Sequence, residues 1–106
     1  MDVVEFLLER IREDEKVAQK LLGDRSISQA GRWYEHRLLR ECEAKRRLFG
    51  VIEAARQAAL ARIVASAPGE SAGMPEAIAW TALALNALAL PYSDHLEFQP
   101  TWRYTE

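Results

Sequence analysis

Residues 74–91 read MPEAIAWTALALNALALP and decide the fold, because they are apolar on nearly every side of a helix. From residue 77 to 90 only Thr81 and Asn86 are polar. Pro75 suits the first turn of a helix, so we expect a helix over residues 75–90 that must be covered on most sides. Its apolar run of about 17 residues falls short of the roughly 20 that a bilayer core requires. The stretch therefore predicts a buried helix and no membrane span.

Two amphipathic segments precede this stretch, and each predicts a helix. The first covers residues 3–22, with Asp2 at its N-cap and Gly23 just past its end. Its apolar face holds Val4, Leu7, Leu8, Ile11, Ala18 and Leu22. The second covers residues 32–67, which contain no proline. Its apolar face holds Tyr34, Leu38, Cys42, Phe49, Ile52, Ala59, Leu60, Ile63 and Ala67. An interior glycine costs about 1 kcal/mol relative to alanine, so this helix would bend or split at Gly50.

The connections between these segments complete the predicted fold. Residues 24–31 are polar and lack a helical period, which favours a turn between antiparallel helices. Residues 66–73 contain Pro68-Gly69, which predicts a second loop. The tail, 91–106, has two prolines and the aromatic residues Tyr92, Phe98, Trp102 and Tyr104, which is typical of an extended segment anchored by aromatic rings. We predict an all-α single domain over residues 1–106. It comprises an antiparallel helical hairpin, a hydrophobic third helix and an extended tail, or four helices if the second breaks.

Composition limits the class of protein. The chain has 106 residues, one cysteine, 49% hydrophobic residues and a formal net charge of -2. One cysteine excludes a disulfide scaffold and a cysteine-based zinc finger, and the hydrophobic share is too large for a disordered chain. The acidic start, MDVVE, lacks the positive region of a secretory signal. We therefore expect a cytoplasmic protein.

Several charged residues fall on the apolar faces of the predicted helices. Asp14 and Glu15 lie within that of the first helix, and Lys45 and Arg56 within that of the second. Antiparallel pairing predicts contacts of Asp14 or Glu15 with Lys45 or Arg40. It also directs Arg56 to the third helix or the tail, where Asp94 and Glu97 are available. The predicted polar cluster between the helices and the tail is Asp14, Glu15, Glu41, Lys45, Arg56, Asp94 and His95. It either fixes helix register or forms a pocket.

The middle of the chain is basic. Residues 25–62 carry nine bases and four acids, a net +5, and Arg37, Arg40, Arg47 and Arg62 fall opposite the apolar face of the second helix. Arginine binds phosphate as a planar fork, so these residues are candidate phosphate contacts of a nucleic-acid-associated protein. A solvated face is the alternative, because nearby acids partly neutralise it and the sequence pI is about 5.7.

No motif for catalysis or cofactor binding is found. Neither histidine has a carboxylate one helical turn away, so a metal-dependent hydrolase, the most distant alternative, would need Asp14, Glu41 and Asp94 or His95 to converge in space. Cys42 lies on an apolar face, where cysteine is usually a small buried hydrophobe. We therefore predict no catalytic residue, no metal ligand and no cofactor.

Three short blocks carry a resemblance. They are residues 6–15 (FLLERIREDE), 39–46 (LRECEAKR) and 89–95 (ALPYSDH), and they resemble a family of small uncharacterised proteins from streptomycetes, related actinobacteria and their phages. Many members of that family carry Cys and His before the last block, which suggests a metal knuckle. This chain has no Cys or His between residues 55 and 90, so that site is not carried over. The family has no assigned activity, and the resemblance implies origin rather than chemistry.

The excess of apolar surface decides the functional prediction. Two helices of a small protein hardly enclose a third one that is apolar all round, so the tail or a second subunit must cover it. We expect a non-enzymatic protein of actinobacterial or actinophage origin that binds a protein partner or forms a homodimer through the third helix. The candidate partner surface is Trp80, Leu83, Leu88 and Trp102.

Overall fold

Three α-helices make up most of the structure, a computed structural model that describes residues 2–70 and 73–103. They are α1 (Val3–Leu22), α2 (Gln29–Ala65) and α3 (Met74–Ala89), followed in the tail by two 3-10 turns, Leu90–Tyr92 and Pro100–Trp102. The described ranges are 79% helical and contain no strand, so the predicted all-α fold is confirmed. Residues 71–72 of the predicted loop and 104–106 of the predicted tail, Tyr104 among them, lie outside the described residues.

Side-chain caps explain where the first two helices begin. Asp2 Oδ1 accepts a hydrogen bond from the Glu5 N–H at 2.8 Å, and Ser28 Oγ accepts one from the Gly31 N–H at 3.0 Å. The Ser28 cap starts α2 three residues earlier than predicted. A Cβ at position 31 would lie 2.8 Å from the Ile27 side chain, so a larger residue there would force that side chain to shift. The helix ends at residue 65 rather than 67, because the residue before Pro68 disfavours helical backbone.

The long second helix is continuous. It runs for 37 residues through Gly50, so the four-helix alternative is wrong. At 1.5 Å per residue it is about 55 Å long, which accounts for most of the 63 Å length of the molecule. Gly50 is exposed, and a Cβ placed there would have no neighbour within 4 Å. The glycine therefore lowers helix propensity without breaking the helix.

The hydrophobic core lies where α1, α2, α3 and the tail meet. Its buried members are Phe6, Leu7, Ile52, Leu85, Ala89 and Phe98. Phe6 is fully buried at the centre, with its ring centroid 5.0 Å from that of Trp102 and 6.0 Å from that of Phe98. Sequence periodicity missed Phe6, which lies on a flank of α1 away from Leu7 and Ile11. The tail covers that flank through short 3-10 turns rather than a fully extended strand.

The third helix covers only part of the hairpin. It packs on α2 around Phe49, Ile52 and Ala55 and on the start of α1. Tyr34, which the sequence placed on the buried face of α2, is 63% exposed. At 100° per residue Tyr34 and Ile52 are separated by five complete helical turns and point the same way. Ile52 is therefore buried because α3 reaches it, and Tyr34 is exposed because α3 does not.

Candidate functional site

One ion pair joins the two long helices on the flank away from the tail. Arg46 holds Glu15 with both arms of its guanidinium, Nε to Oε2 at 2.8 Å and Nη2 to Oε1 at 2.6 Å. The Arg46 guanidinium lowers the pKa of Glu15, and Glu15 in turn raises the pKa of Arg46. The predicted partners of Glu15, Lys45 and Arg40, are wrong, because Lys45 lies 100° around α2 from Arg46 and faces the opposite flank.

On the tail side, a tyrosine hydroxyl connects Asp14 with Lys45. The Lys45 ammonium donates to the Tyr92 hydroxyl at 2.9 Å, and that hydroxyl donates to Asp14 Oδ2 at 3.0 Å. Lys45 Nζ also lies 4.8 Å from the centroid of the Tyr92 ring. Burial, followed by the charge and hydrogen bond of Asp14, raises the pKa of Tyr92 well above its usual value. The predicted meeting of Asp14 with Lys45 therefore occurs through a neutral hydroxyl from the tail.

A second contact of the tail uses Arg10, which sequence reasoning did not single out. Its side chain is largely buried and pairs with Glu13 at 2.9 Å, and Nη1 contacts Nε2 of His95. Nδ1 of His95 accepts from the Glu97 N–H at 3.0 Å. A neutral imidazole has one unprotonated nitrogen, so the ring accepts a hydrogen bond from only one of these two donors at a time. The His95 ring packs edge-on against Phe6, with 5.6 Å between centroids, which makes this histidine an anchor of the tail.

Other members of the predicted polar cluster lie elsewhere. Arg56 pairs with Glu53 on its own helix at 3.6 Å rather than with Asp94 or Glu97, so that prediction is wrong. The acid three residues away on the same helix is closer in space than those on the tail. Asp94 is exposed in the turn after Tyr92. The seven predicted residues thus divide among separate contacts and do not form one pocket.

The carboxylates do not gather as a metal site would require. Glu41 pairs with Arg37 at 3.2 Å, one turn away on the same helix. Across residues 2–70 and 73–103, no three side chains of His, Cys, Asp or Glu converge closely enough to hold a metal ion. Cys42 is buried beneath Ile11, and burial is the main cause that raises the pKa of its thiol. A buried, protonated thiol is a poor nucleophile.

The outer surface of α3 is apolar, and we call it the α3 face. It consists of Ala79, Trp80, Leu83, Ala87 and Leu90, of which only Leu83 is partly buried. Trp80 is 65% exposed. It borders a groove of about 300 Å³ between α2 and α3 that no charged residue lines. The lining is Val51, Ile52, Ala55, Ala77, Trp80, Thr81 and Ala84.

Two residues predicted for the partner surface belong to the core instead. Leu88 and Trp102 are partly buried and pack against the core cluster, with the Trp102 ring 5.4 Å from that of Phe98. The correction has a physical reason in each case. Leu88 lies on the side of α3 that faces α2, and the tail folds back so that Trp102 covers Phe6.

A second apolar surface lies near the turn of the hairpin, and we call it the tip groove. It consists of Val17 and Leu21 on α1 and Tyr34 and Leu38 on α2, and the cavity beside Tyr34 and Leu38 has a charged rim of Glu35, Arg37 and Glu41. Val17 comes eleven residues after Phe6, and Leu21 comes eleven residues after Arg10. Eleven residues differ from three full helical turns by only 20°, so Val17 and Leu21 lie on the same flank of α1 as the two residues that the tail covers. The tip groove therefore continues the surface that α3 and the tail cover further along. Periodicity predicted α2's share of this surface but not its exposure.

The four arginines predicted as phosphate contacts are all exposed and share the outer side of α2. Two are paired: Arg37 with Glu41 at 3.2 Å, and Arg47 with Glu43 at 2.6 Å. Arg40 and Arg62 complete the set. The Arg37 guanidinium also lies 5.6 Å from the ring centroid of Trp33, itself an exposed aromatic. The surface is basic and partly neutralised, as the alternative of a solvated face requires.

Arg46 was not predicted as a site residue, and Tyr92 was predicted only as an aromatic anchor of the tail. None of the helices in the described part of the chain has the length and apolarity to cross a membrane.

The chain was compared with known proteins and protein families. Searches of curated proteins and of solved structures found no match. A family model described as a family of unknown function, DUF6221, matches residues 1–104. Since that match covers nearly the whole sequence, the chain belongs to DUF6221, a family of unknown function.

Proposed function

We propose that this chain is a non-enzymatic protein that works by binding another protein through the α3 face. The observation that carries the proposal is Trp80, 65% exposed on a helix whose outer side is apolar from residue 77 to residue 90. Tryptophan offers a large apolar area and is enriched among the residues that dominate binding energy at interfaces. A contiguous apolar patch bordered by a groove favours a protein partner over a small charged ligand.

The resemblance noted in the sequence supports an actinobacterial or actinophage origin for this protein, and the free Cys42, which forms no disulfide, supports a cytoplasmic location. Both belong to the proposal. They also decide where the partner is sought, namely in the lysate of an actinobacterium.

The experiment compares two single substitutions that each add a negative charge to an exposed apolar position. Trp80→Glu alters the α3 face, whereas Val64→Glu alters a residue that is 87% exposed near the end of α2, outside that face. We expect a stoichiometric bound protein, either this chain or another, to be retained by Val64→Glu and lost by Trp80→Glu. Circular dichroism and a thermal melt show whether each variant is folded. Equal binding by both folded variants would refute the proposal.

The second candidate function is association with nucleic acid through the outer side of α2. The specific observation is that Arg37 lies beside exposed Trp33 in a basic segment, because aromatic and arginine side chains together bind single strands by stacking and charge. Gel retardation of single-stranded DNA and RNA tests it. Retardation that weakens steeply with salt and is reduced by Arg40→Ala would favour this function over the first, and no retardation at low salt would exclude it.

A further inference from the structure

We infer that the partner of the α3 face is a second copy of this chain, and that each protomer lays its α3 face on the tip groove of the other. The inference rests on the proposed function and names its occupant. It joins two surfaces that the fold leaves open on the same side of the molecule, the α3 face and the tip groove.

The hairpin surface that α3 covers continues beyond the end of α3. Tyr34 and Ile52 point the same way from α2, and Leu38 stands in the same relation to Phe49, eleven residues away. Ile52 and Phe49 pack beneath α3, while Tyr34 remains 63% exposed. Apolar side chains of the hairpin therefore continue beyond the end of α3 toward the turn, interrupted at Asp14 and Lys45, and the chain's own third helix occupies only one end of this surface. A helix like α3 is the occupant whose shape and polarity already fit the other end.

The uncovered part of the hairpin matches α3 in length. α3 has 16 residues and is about 24 Å long. α2 extends for 16 residues from its start at Gln29 to the residue before Lys45, which marks where the covered part of the hairpin begins. The open part of the hairpin is therefore as long as α3. A second copy turned end for end would fill it without overlapping the first α3.

A two-fold symmetric dimer would use both open surfaces of each chain. In a two-fold antiparallel dimer, α3 of each protomer lies with its inner side on its own hairpin and its outer side on the tip groove of the partner. The same contact is then made twice, which closes the assembly at two chains. The α3 face has no charged residue from 79 to 90, and Glu76, the only acid in α3, is exposed on the same side of the helix one turn before Trp80. The charge of α3 therefore lies at one end of the contact.

The chain exposes more surface than a compact monomer of its mass. A compact monomer of 12.0 kDa exposes about 6,000 Å². This chain exposes 7501 Å², so its surface is about 1,500 Å² larger than its mass requires. A stable dimer of standard size buries about 800 Å² from each partner. The excess surface is large enough to supply such an interface on both open surfaces.

Light scattering over a wide concentration range tests the inference. We expect a mass twice the 12.0 kDa of one chain. Trp80→Glu on the α3 face and Tyr34→Glu in the tip groove should each weaken the dimer at least about 30-fold. Val64→Glu, the matched control, should leave it unchanged. Tyr34 is largely exposed, so its substitution reports on the interface even if Trp80→Glu fails to fold.

A cysteine pair then tests the geometry. With Leu83→Cys and Leu38→Cys in one chain, mild oxidation should give a covalent dimer, whereas either substitution alone should not pair the two surfaces. The native Cys42 is buried and does not compete.

The outcomes separate this inference from the proposed function. A monomer at every concentration, or a dimer that survives Tyr34→Glu, overturns the inference. If that monomer still binds a different protein that Trp80→Glu loses and Val64→Glu retains, the proposed function stands alone. If nothing is bound by any variant, both fail.

Discussion

Tyr92→Phe removes one oxygen atom from the contact that fastens the tail to the hairpin. The hydroxyl accepts from Lys45 at 2.9 Å and donates to Asp14 at 3.0 Å, while the ring itself packs against the core. The substitution leaves that ring in place and creates almost no cavity. Its effect therefore measures the two hydrogen bonds rather than the packing.

The expected loss of stability is about 2 kcal/mol. A hydrogen bond to a charged group contributes about 1.5–3 kcal/mol, and two are removed. Part of this is recovered, because Asp14 and Lys45 are only partly buried and then meet water or each other. About 2 kcal/mol is a large share of the roughly 5–15 kcal/mol that stabilises a protein of this size.

The pH dependence gives the prediction a second signature. Because the pKa of Tyr92 is raised in the folded protein, the unfolded chain ionises at this residue first, above pH of about 10. The stabilisation is therefore complete below pH 10 and is lost as pH rises toward the folded value. Between pH 9 and 11 the advantage of the wild type over Tyr92→Phe should shrink by about 1 kcal/mol.

Urea unfolding followed by tryptophan fluorescence provides the assay. With a slope of about 1.5 kcal/mol per molar, Tyr92→Phe should lower the midpoint by about 1.3 M at pH 7.5. Tyr34→Phe is the matched control, because its ring is 63% exposed in the single chain. All variants are compared at one dilute protein concentration at which the chain is monomeric. A loss below about 0.5 kcal/mol, or an advantage that is the same at pH 9 and 11, would refute the role of the hydroxyl.

Three further substitutions or reagents test separate parts of the structure. Gly50→Ala should stabilise the protein by about 1 kcal/mol in the same urea assay, because position 50 is helical, exposed and open; destabilisation would indicate a bend. Glu15→Gln should lower the free energy of unfolding by about 0.5–1 kcal/mol at pH 7. This difference from the wild type should vanish as the pH falls from about 4.5 through the lowered pKa of Glu15 in the folded protein. A difference that persists at pH 2 would argue against the pair with Arg46. A thiol reagent should modify Cys42 only as fast as the chain unfolds, and rapid labelling without urea would contradict its burial.

The sequence predicted the helices well because each has a local signal. Asp2 and Ser28 have the chemistry of N-caps, and the stretch from residue 74 to 91 is bounded by proline at both ends. The position of Phe6 has no such signal. It is buried because Phe98 and Trp102 fold back over it from more than 90 positions away, and no period along α1 reports that.

The charged residues were found by their place on apolar faces, but their partners were not. Lys45 and Arg46 are adjacent in sequence and 100° apart on α2, so an uncertainty of one residue in helix phase exchanges the two sides of the hairpin. Glu15 consequently meets Arg46, and Lys45 meets the tail. Tyr92 entered the sequence reasoning only as an aromatic anchor, because nothing local shows that its hydroxyl lies beside Asp14.

Asp14 and Lys45 together explain why α3 stops where it does. Both lie on the surface of the hairpin that α3 covers further along, and an apolar helix laid over them would bury two charges without hydrogen bonds, at a cost of several kcal/mol. The chain instead leaves the helix at Pro91 and presents the Tyr92 hydroxyl, which satisfies both charges at once. The polar residues that the sequence marked as a candidate site thus act as a boundary. On one side the hairpin is covered by its own third helix, and on the other the tip groove is left open.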